Sequence, residues 1–245
     1  MSEKIQKVLA RQGFASRREI ERWIQAGRII VNGQTAQLGD RISAQDQVTV
    51  DGRKIIVADD QQTRVLLYHK PEGQICTRQD PEGRATVFDH LPTLHHARWI
   101  SIGRLDINTS GLLLLTNDGH LAHQLMHPSS GLEREYAVRI LGDVDAAMVK
   151  RLTRGVRLED GMARFEHVVD SGGKGSNHWF HVLVKEGRNR LVRRLWESQQ
   201  VVVSRLMRVR FGSVMLPKTL AKGQSLDLSE AEIKALQQCI ASSGE

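Results

Sequence analysis

The apolar positions divide the chain before any other property does. Ile5, Val8 and Leu9 recur at helical spacing and Gly13 follows as a stop. Ser16-Arg17-Arg18-Glu19 then has the form of a capping box that opens a second helix through Trp23 and Ile24, closed by Gly27. Asn32-Gly33 and Asp51-Gly52 sit beside short β-type runs, Arg28 to Val31 and Gln47 to Val50, as hairpin turns do. Asp51 to Thr63 is polar and reads as a linker. Beyond it, strand patterns occur at Val65 to Tyr68, Ala137 to Leu141, Trp179 to Lys185 and Val201 to Val203. Helical patterns lie between and after them at Gly119 to Met126, Ala146 to Thr153, Leu191 to Ser198 and Glu230 to Ile240, and Ser171 to Asn177 reads as a hairpin loop. Helices and strands mix without regular βαβ spacing. The expectation is an α+β protein: a small N-terminal unit, then a domain with a mixed, largely antiparallel sheet flanked by helices.

At 245 residues, length allows one domain or two of unequal size. No window approaches the ~18 apolar residues of a membrane span, and the N-terminus lacks the pattern of a signal peptide, so a cytoplasmic protein is expected. Cys76 and Cys239 lie far apart without a CxxC pair, which argues for two reduced thiols. The net charge of +7 suits a polyanionic partner, and its placement sharpens the point. Lys4, Lys7, Arg11, Arg17, Arg18, Arg22 and Arg28 outnumber Glu3, Glu19 and Glu21 along the first two helices. Between Lys185 and Lys222 lie ten Lys or Arg, among them Arg188, Arg190, Arg193 and Arg194, against Glu186 and Glu197. A solvated helix face is the plain alternative for the first cluster.

The stretch GRLDINTSGLLLLTNDG, Gly103 to Gly119, holds the candidate chemistry. Asp106 lies between Leu105 and Ile107 with four leucines behind, where a carboxylate loses hydration unless a cation compensates. Read alone, it is more readily an aspartate that caps a turn through Asn108 or Thr109. The leucines after Ser110 read as the core strand that fixes this turn. His120, His123 and His127 could share a helical face, but neither HExxH nor a clear carboxylate ligand accompanies them, so no metal is expected. The phosphatase pattern DxDxT fails at Asn108.

The motif resembles the catalytic motif of the pseudouridine synthases. HisLysProGlu at His69, MetHisProSer at Met126, ArgGluTyrAlaVal at Arg134 and GluGlyArgAsnArg at Glu186 follow in the order that family places them. The helix, helix, NG hairpin order with GRIIVNG is similar to the S4 RNA-binding module, and the two together resemble the bacterial ribosomal RNA branch, the RsuA/RluB group, nearest its large-subunit type. The resemblance implies an S4-like domain at 1–52, a linker at 53–63 and a catalytic domain at 64–245.

It also implies the reaction: the N1 to C1′ bond of a uridine in ribosomal RNA breaks, the uracil turns, and its C5 joins C1′, with no cofactor. Asp106 would supply the carboxylate at the sugar, as nucleophile or as base. Tyr136 would stack on the uracil, and Arg193 would pair with Asp106, with Arg194 a substitute. The nucleotide has to be flipped out of its stack at a cost of a few kcal/mol, with Arg104 filling the vacancy or contacting phosphate. Lys7, Arg11, Arg17, Arg18, Arg22, Arg188, Arg190 and Arg194 would contact RNA phosphates. The partner would be large-subunit RNA or a pre-ribosomal particle, met by a monomer. Two alternatives stay open: a non-catalytic RNA-binding or ribosome-assembly factor, and a synthase for small-subunit RNA.

Overall fold

The computed structural model describes residues 2–56, 62–95, 97–174 and 177–241. Contacts divide the chain into two compact units, the first comprising Met1–Arg64 with Pro92–Ile100 and Thr116–Gly119, the second Val65–Leu91, Ser101–Leu115 and His120–Glu245.

In the first unit β1 (Glu3–Lys4), α1 (Ile5–Arg11) and α2 (Arg17–Gln25) precede β2 (Ile29–Val31), β3 (Gln34–Thr35), β4 (Arg41–Ile42), β5 (Val48–Val50) and β6 (Arg53–Ile55). The helical spacing of Ile5, Val8, Leu9, Ile20 and Ile24 buries one face of each helix against Ile29, Ile42 and Val48. The Ser16 hydroxyl caps α2 by accepting the Glu19 N–H at 3.1 Å. The Glu19 carboxylate accepts from Trp23 Nε1 and Arg22 at 3.0 Å each, which replaces the reciprocal arm of the expected box. Asn32 and Gly33 have φ of 49° and 84°, Asp51 and Gly52 of 50° and 75°. These left-handed pairs turn β2 into β3 and β5 into β6, the geometry a two-residue hairpin demands. Arg53–Ile55 is thus a sheet strand, a correction to the expected linker; residues 57–61 of that linker lie outside the described residues.

The second unit is built on β7 (Val65–Lys70), β8 (Ile100–Ile102), β9 (Ser110–Thr116), α3 (Gly119–Met126), β10 (Arg134–Leu141), α4 (Ala146–Arg154), β11 (Val156–Leu158), β12 (Gly161–Ala163), β13 (His167–Lys174), β14 (Asn177–Val184), α5 (Leu191–Glu197), β15 (Val202–Phe211), β16 (Val214–Met215), β17 (Ser225–Asp227) and α6 (Glu230–Ala241). Among the described residues the main sheet runs β13-β14-β10-β15-β9-β7-β17, with β16 beside β15 and β8 beside β9. Pairing is antiparallel through β13, β14, β10 and β15 and parallel between β15 and β9, so the fold is α+β around a mixed sheet. The expected loop at Ser171 to Asn177 is mostly strand: β13 reaches Lys174 and β14 starts at Asn177, paired across the hairpin. Every residue of β9 is buried, as expected of the leucine run. Val138, Ile140, Phe180, Val182, Leu195 and Trp196 form the core of one sheet face, against α5.

Candidate active site

Asp106 sits in the turn that leads into β9, and the turn is held by its backbone. The Leu105 carbonyl takes the Cys76 thiol at 3.4 Å, and the Cys76 sulfur in return accepts the Leu105 N–H at 3.4 Å. The Asp106 carbonyl accepts the Thr109 N–H at 3.0 Å and Lys70 Nζ at 3.1 Å. Ile107 takes the Gly73 N–H at 2.8 Å, Asn108 takes Arg193 Nη2 at 2.9 Å, and Thr109 takes Lys70 Nζ at 2.9 Å. Five consecutive carbonyls therefore have donors, drawn from the end of β7, the loop after it, the turn itself and α5. This fixes the backbone and leaves the Asp106 carboxylate, half-buried, facing a cleft of about 890 Å³.

Lys70 is fully buried and makes its third bond to the Pro71 carbonyl at 2.9 Å. Burial pushes its amine below the ordinary lysine range, while Cys76, Asp106 and Glu72 pull it back up. Arg193, 8% exposed, donates its other Nη to the Val203 carbonyl at 2.9 Å and so ties the Asp106 turn to β15. Burial lowers its pKa, the neighbouring Arg190 lowers it further, and Asp106 opposes both. The expected pairing needs correcting: among the described residues Arg193 makes no ion pair with Asp106, because carbonyls hold its Nη atoms. Arg194 is no substitute, since its Nη2 bonds Asp160 at 2.8 Å.

Asp106, Tyr136 and Arg104 line the cleft together, with Arg104 exposed at the turn. Arg188 and Arg190 also line it, each with a carboxylate: Arg188 meets Glu186 at 2.6 Å and Asp160 at 3.1 Å, Arg190 meets Glu197 at 3.4 Å. In the first unit Lys7 and Arg11 converge on Glu3 at 2.5 Å each, Arg22 meets Glu19 at 3.0 Å, and Arg17 and Arg18 are exposed. Such surface pairs are weak, because solvent and salt screen them, and their cations remain open to phosphate. Lys70 and Arg134 lie within the motifs that begin at His69 and Arg134, and Arg208 within the basic stretch from Lys185 to Lys222, but nothing in the sequence assigns any of the three a role at the Asp106 turn or the cleft.

His127 does structural work: its Nδ1 lies 2.6 Å from the Ser129 hydroxyl and accepts the Ser129 N–H, capping the short turn Pro128–Ser130. Among the described residues, no three His, Cys, Asp or Glu side chains are grouped to hold a metal. No described helix is long and apolar enough to cross a membrane.

One wall of the cleft carries an acid-resistant clasp. Arg84 donates to Asp80 through its backbone N–H, Nε and Nη2 at 2.8, 2.9 and 2.7 Å, and these bonds hold the Asp80 carboxyl at about 2. A lowered folded value means that the clasp's stabilisation is complete above the ordinary ~3.9 and is lost as pH falls through the folded value. Carboxyl-carbon NMR should show Asp80 titrating with a midpoint near 2. A midpoint at the ordinary value would mean that the clasp does not persist in solution.

A carboxylate on a pinned turn, an aromatic ring in the same cleft and a cation-rich rim suit chemistry on a nucleotide. The sequence matches the family model for RNA pseudouridylate synthase over residues 64–200 and that for the S4 domain over residues 3–48. The chain belongs to the RNA pseudouridylate synthase family and is an isomerase with an N-terminal S4 domain. It is 56% identical over 243 residues to the ribosomal large subunit pseudouridine synthase B of Vibrio cholerae serotype O1, across 98% of this chain and 76% of that one. The protein of the same name from Escherichia coli (strain K12) is 56% identical over 244 residues, across 98% of this chain and 84% of its own. A crystal structure of a pseudouridylate synthase covers 95% of this chain and 99% of its own at 23% identity, with a TM-score of 0.66, a likeness of fold.

Proposed function

We propose that the protein converts one uridine of large-subunit ribosomal RNA to pseudouridine. The observation that carries the site assignment is the Asp106 turn, whose five bonded carbonyls present the carboxylate to the same cleft as Tyr136. Asp106 acts at the sugar of a flipped uridine as nucleophile or as base. The N1 to C1′ bond breaks and the C5 to C1′ bond forms, and the C5 proton is released to solvent as N1 takes one up. Tyr136 stacks on the uracil and retains it between the two steps. Arg193 positions Asp106 through the Asn108 carbonyl, and Arg104 occupies the vacated stack or meets its phosphate. No cofactor enters this scheme.

In this reading residues 1–52, with the strand Arg53–Ile55, are the RNA-binding module and 64–245 the catalytic domain of a cytoplasmic monomer. Lys7, Arg11, Arg17, Arg18 and Arg22 on the module, and Arg188, Arg190 and Arg194 beside the cleft, supply sequence-independent phosphate contacts. Replacing Arg17 and Arg18 together by alanine should weaken RNA binding and flatten the salt dependence of log K by about 1 to 2 units. Filter binding from 50 to 300 mM salt measures this, and an unchanged slope would remove these residues from the interface.

The deciding experiment incubates the protein, with EDTA present, with small- and large-subunit RNA and maps pseudouridine by carbodiimide-directed primer-extension stops. A single new stop in large-subunit RNA is expected. A stop in small-subunit RNA alone would overturn the substrate assignment. RNA binding with no stop, on naked RNA and on pre-ribosomal particles alike, would overturn the catalytic one.

A further inference from the structure

One irregularity in the sheet creates a second feature of the cleft. Arg134 of β10 stands opposite Phe211 of β15, and Tyr136 stands opposite Arg208, with the register shifting between Glu135 and Tyr136. Phe211 and Arg208 are three residues apart, an odd spacing that in a regular strand sends two side chains to opposite faces. The bulge, which leaves Val209 unpaired with β10, turns both to the face of Arg134 and Tyr136, and all four line the cleft.

The guanidinium groups of Arg134 and Arg208 lie 5.1 and 5.2 Å from the centre of the Phe211 ring. They are 8% and 2% exposed, and their acceptors are backbone carbonyls: Leu132 and Lys185 at 2.8 Å for Arg134, Leu112 at 2.7 Å for Arg208. Among the described residues neither meets a carboxylate, whereas Arg84, Arg188 and Arg190 on the same cleft each do. Arg208 Nη2 is buried with no acceptor among the described residues. Two desolvated like charges with an unused donor are costly unless an anion joins them.

We propose that Arg134 and Arg208 form a subsite for one backbone phosphate of the substrate RNA, next to the stacking face of Tyr136. A phosphodiester brings one negative charge and two non-bridging oxygens, which suits two planar guanidinium forks. A uracil carbonyl satisfies a donor but neutralises neither charge. With the phosphate held here and the base on Tyr136, the sugar between them is fixed with respect to Asp106. The subsite rests on the pseudouridine synthase reading.

The test uses a stem-loop that carries the mapped uridine, with an uncharged methylphosphonate replacing the phosphate on its 5′ or its 3′ side. For the wild-type protein one of the two replacements should weaken binding roughly tenfold. That penalty should vanish in Arg208→Met and Arg134→Met and persist in Arg139→Met, whose guanidinium bonds Ser204 instead. Unchanged wild-type affinity for both neutral linkages overturns the subsite, and this arm needs no variant. A penalty that persists undiminished in both methionine variants, with weaker binding of the unmodified RNA, overturns it too and points to base contact. Arg208→Lys replaces the methionine variant if circular dichroism shows that the latter is unfolded. Failure of the wild-type protein to isomerise the unmodified stem-loop counts against the reaction, whereas turnover without any methylphosphonate effect counts against the subsite alone.

Discussion

Asparagine in place of Asp106 is expected to slow isomerisation by roughly 10⁴-fold or more, with RNA affinity changed by less than about threefold. The substitution keeps the shape of the side chain and removes the charge and basicity the sugar chemistry requires. The geometry predicts the second half of the result. The turn is held by carbonyls that receive Lys70, Gly73, Arg193 and the Thr109 N–H, and none of these bonds involves the Asp106 carboxylate. Asp106→Asn should therefore fold and bind as the native protein does. Tritium at uracil C5 gives the readout, since each isomerisation releases that hydrogen to solvent. Single-turnover release at saturating protein reports the chemical step, and filter binding with the same RNA reports affinity. A parallel collapse of binding would make Asp106 a residue that shapes the turn, the alternative its sequence position leaves open. Near-native release would move the chemistry to another group.

Local signals in the sequence translated well into local structure. Ile5, Val8 and Leu9, the Ser16 cap and the Asn32-Gly33 and Asp51-Gly52 turns act over a few residues, and the helices and hairpins stand where those signals put them. The leucine run became the buried strand next to Asp106 for a similarly local reason: a continuous apolar segment has to be covered on both faces. The supports of the Asp106 turn are distant in sequence. Lys70 and Arg193 reach it across 36 and 85 residues. A buried lysine that donates to three carbonyls leaves no periodicity, and its sequence neighbours carry no trace of the partners. The same holds for the Arg134 and Arg208 pair, which depends on a one-residue bulge that no alternation of side chains announces. Arg193 shows the limit of motif transfer. The resemblance implies that it pairs with Asp106, whereas its bonds go to the Asn108 and Val203 carbonyls.

The largest structural effect is expected at Gly111. There β9 meets β15 in parallel, with Gly111 opposite Arg208 and a φ of +104°. A Cβ at this position would lie 2.3 Å from the Arg208 carbonyl oxygen, 2.7 Å from its backbone nitrogen and 2.9 Å from Met207 Cγ. Two of those atoms are backbone and cannot swing aside, so the strands have to separate. Left-handed backbone costs an L-residue about 1 to 2 kcal/mol and overpacking about 1 to 3, so Gly111→Ala should lose roughly 2 to 5 kcal/mol. In a unit of this size that lowers the melting temperature by about 4 to 20 °C. Gly83→Ala is the control, because Gly83 also has a positive φ, +68°, but open space where the Cβ would go. It should show the backbone cost alone, about 1 to 2 kcal/mol. The difference between the two melting temperatures isolates the close approach of the strands. Arg208 Nε also bonds Leu112, the residue after Gly111, at 2.7 Å. Separation of β9 from β15 therefore pulls the Asp106 turn away from Arg208 and Tyr136, and Gly111→Ala should lose turnover even at temperatures where it remains folded. Equal melting temperatures for the two variants, with native turnover, would show that β9 and β15 do not approach this closely in solution.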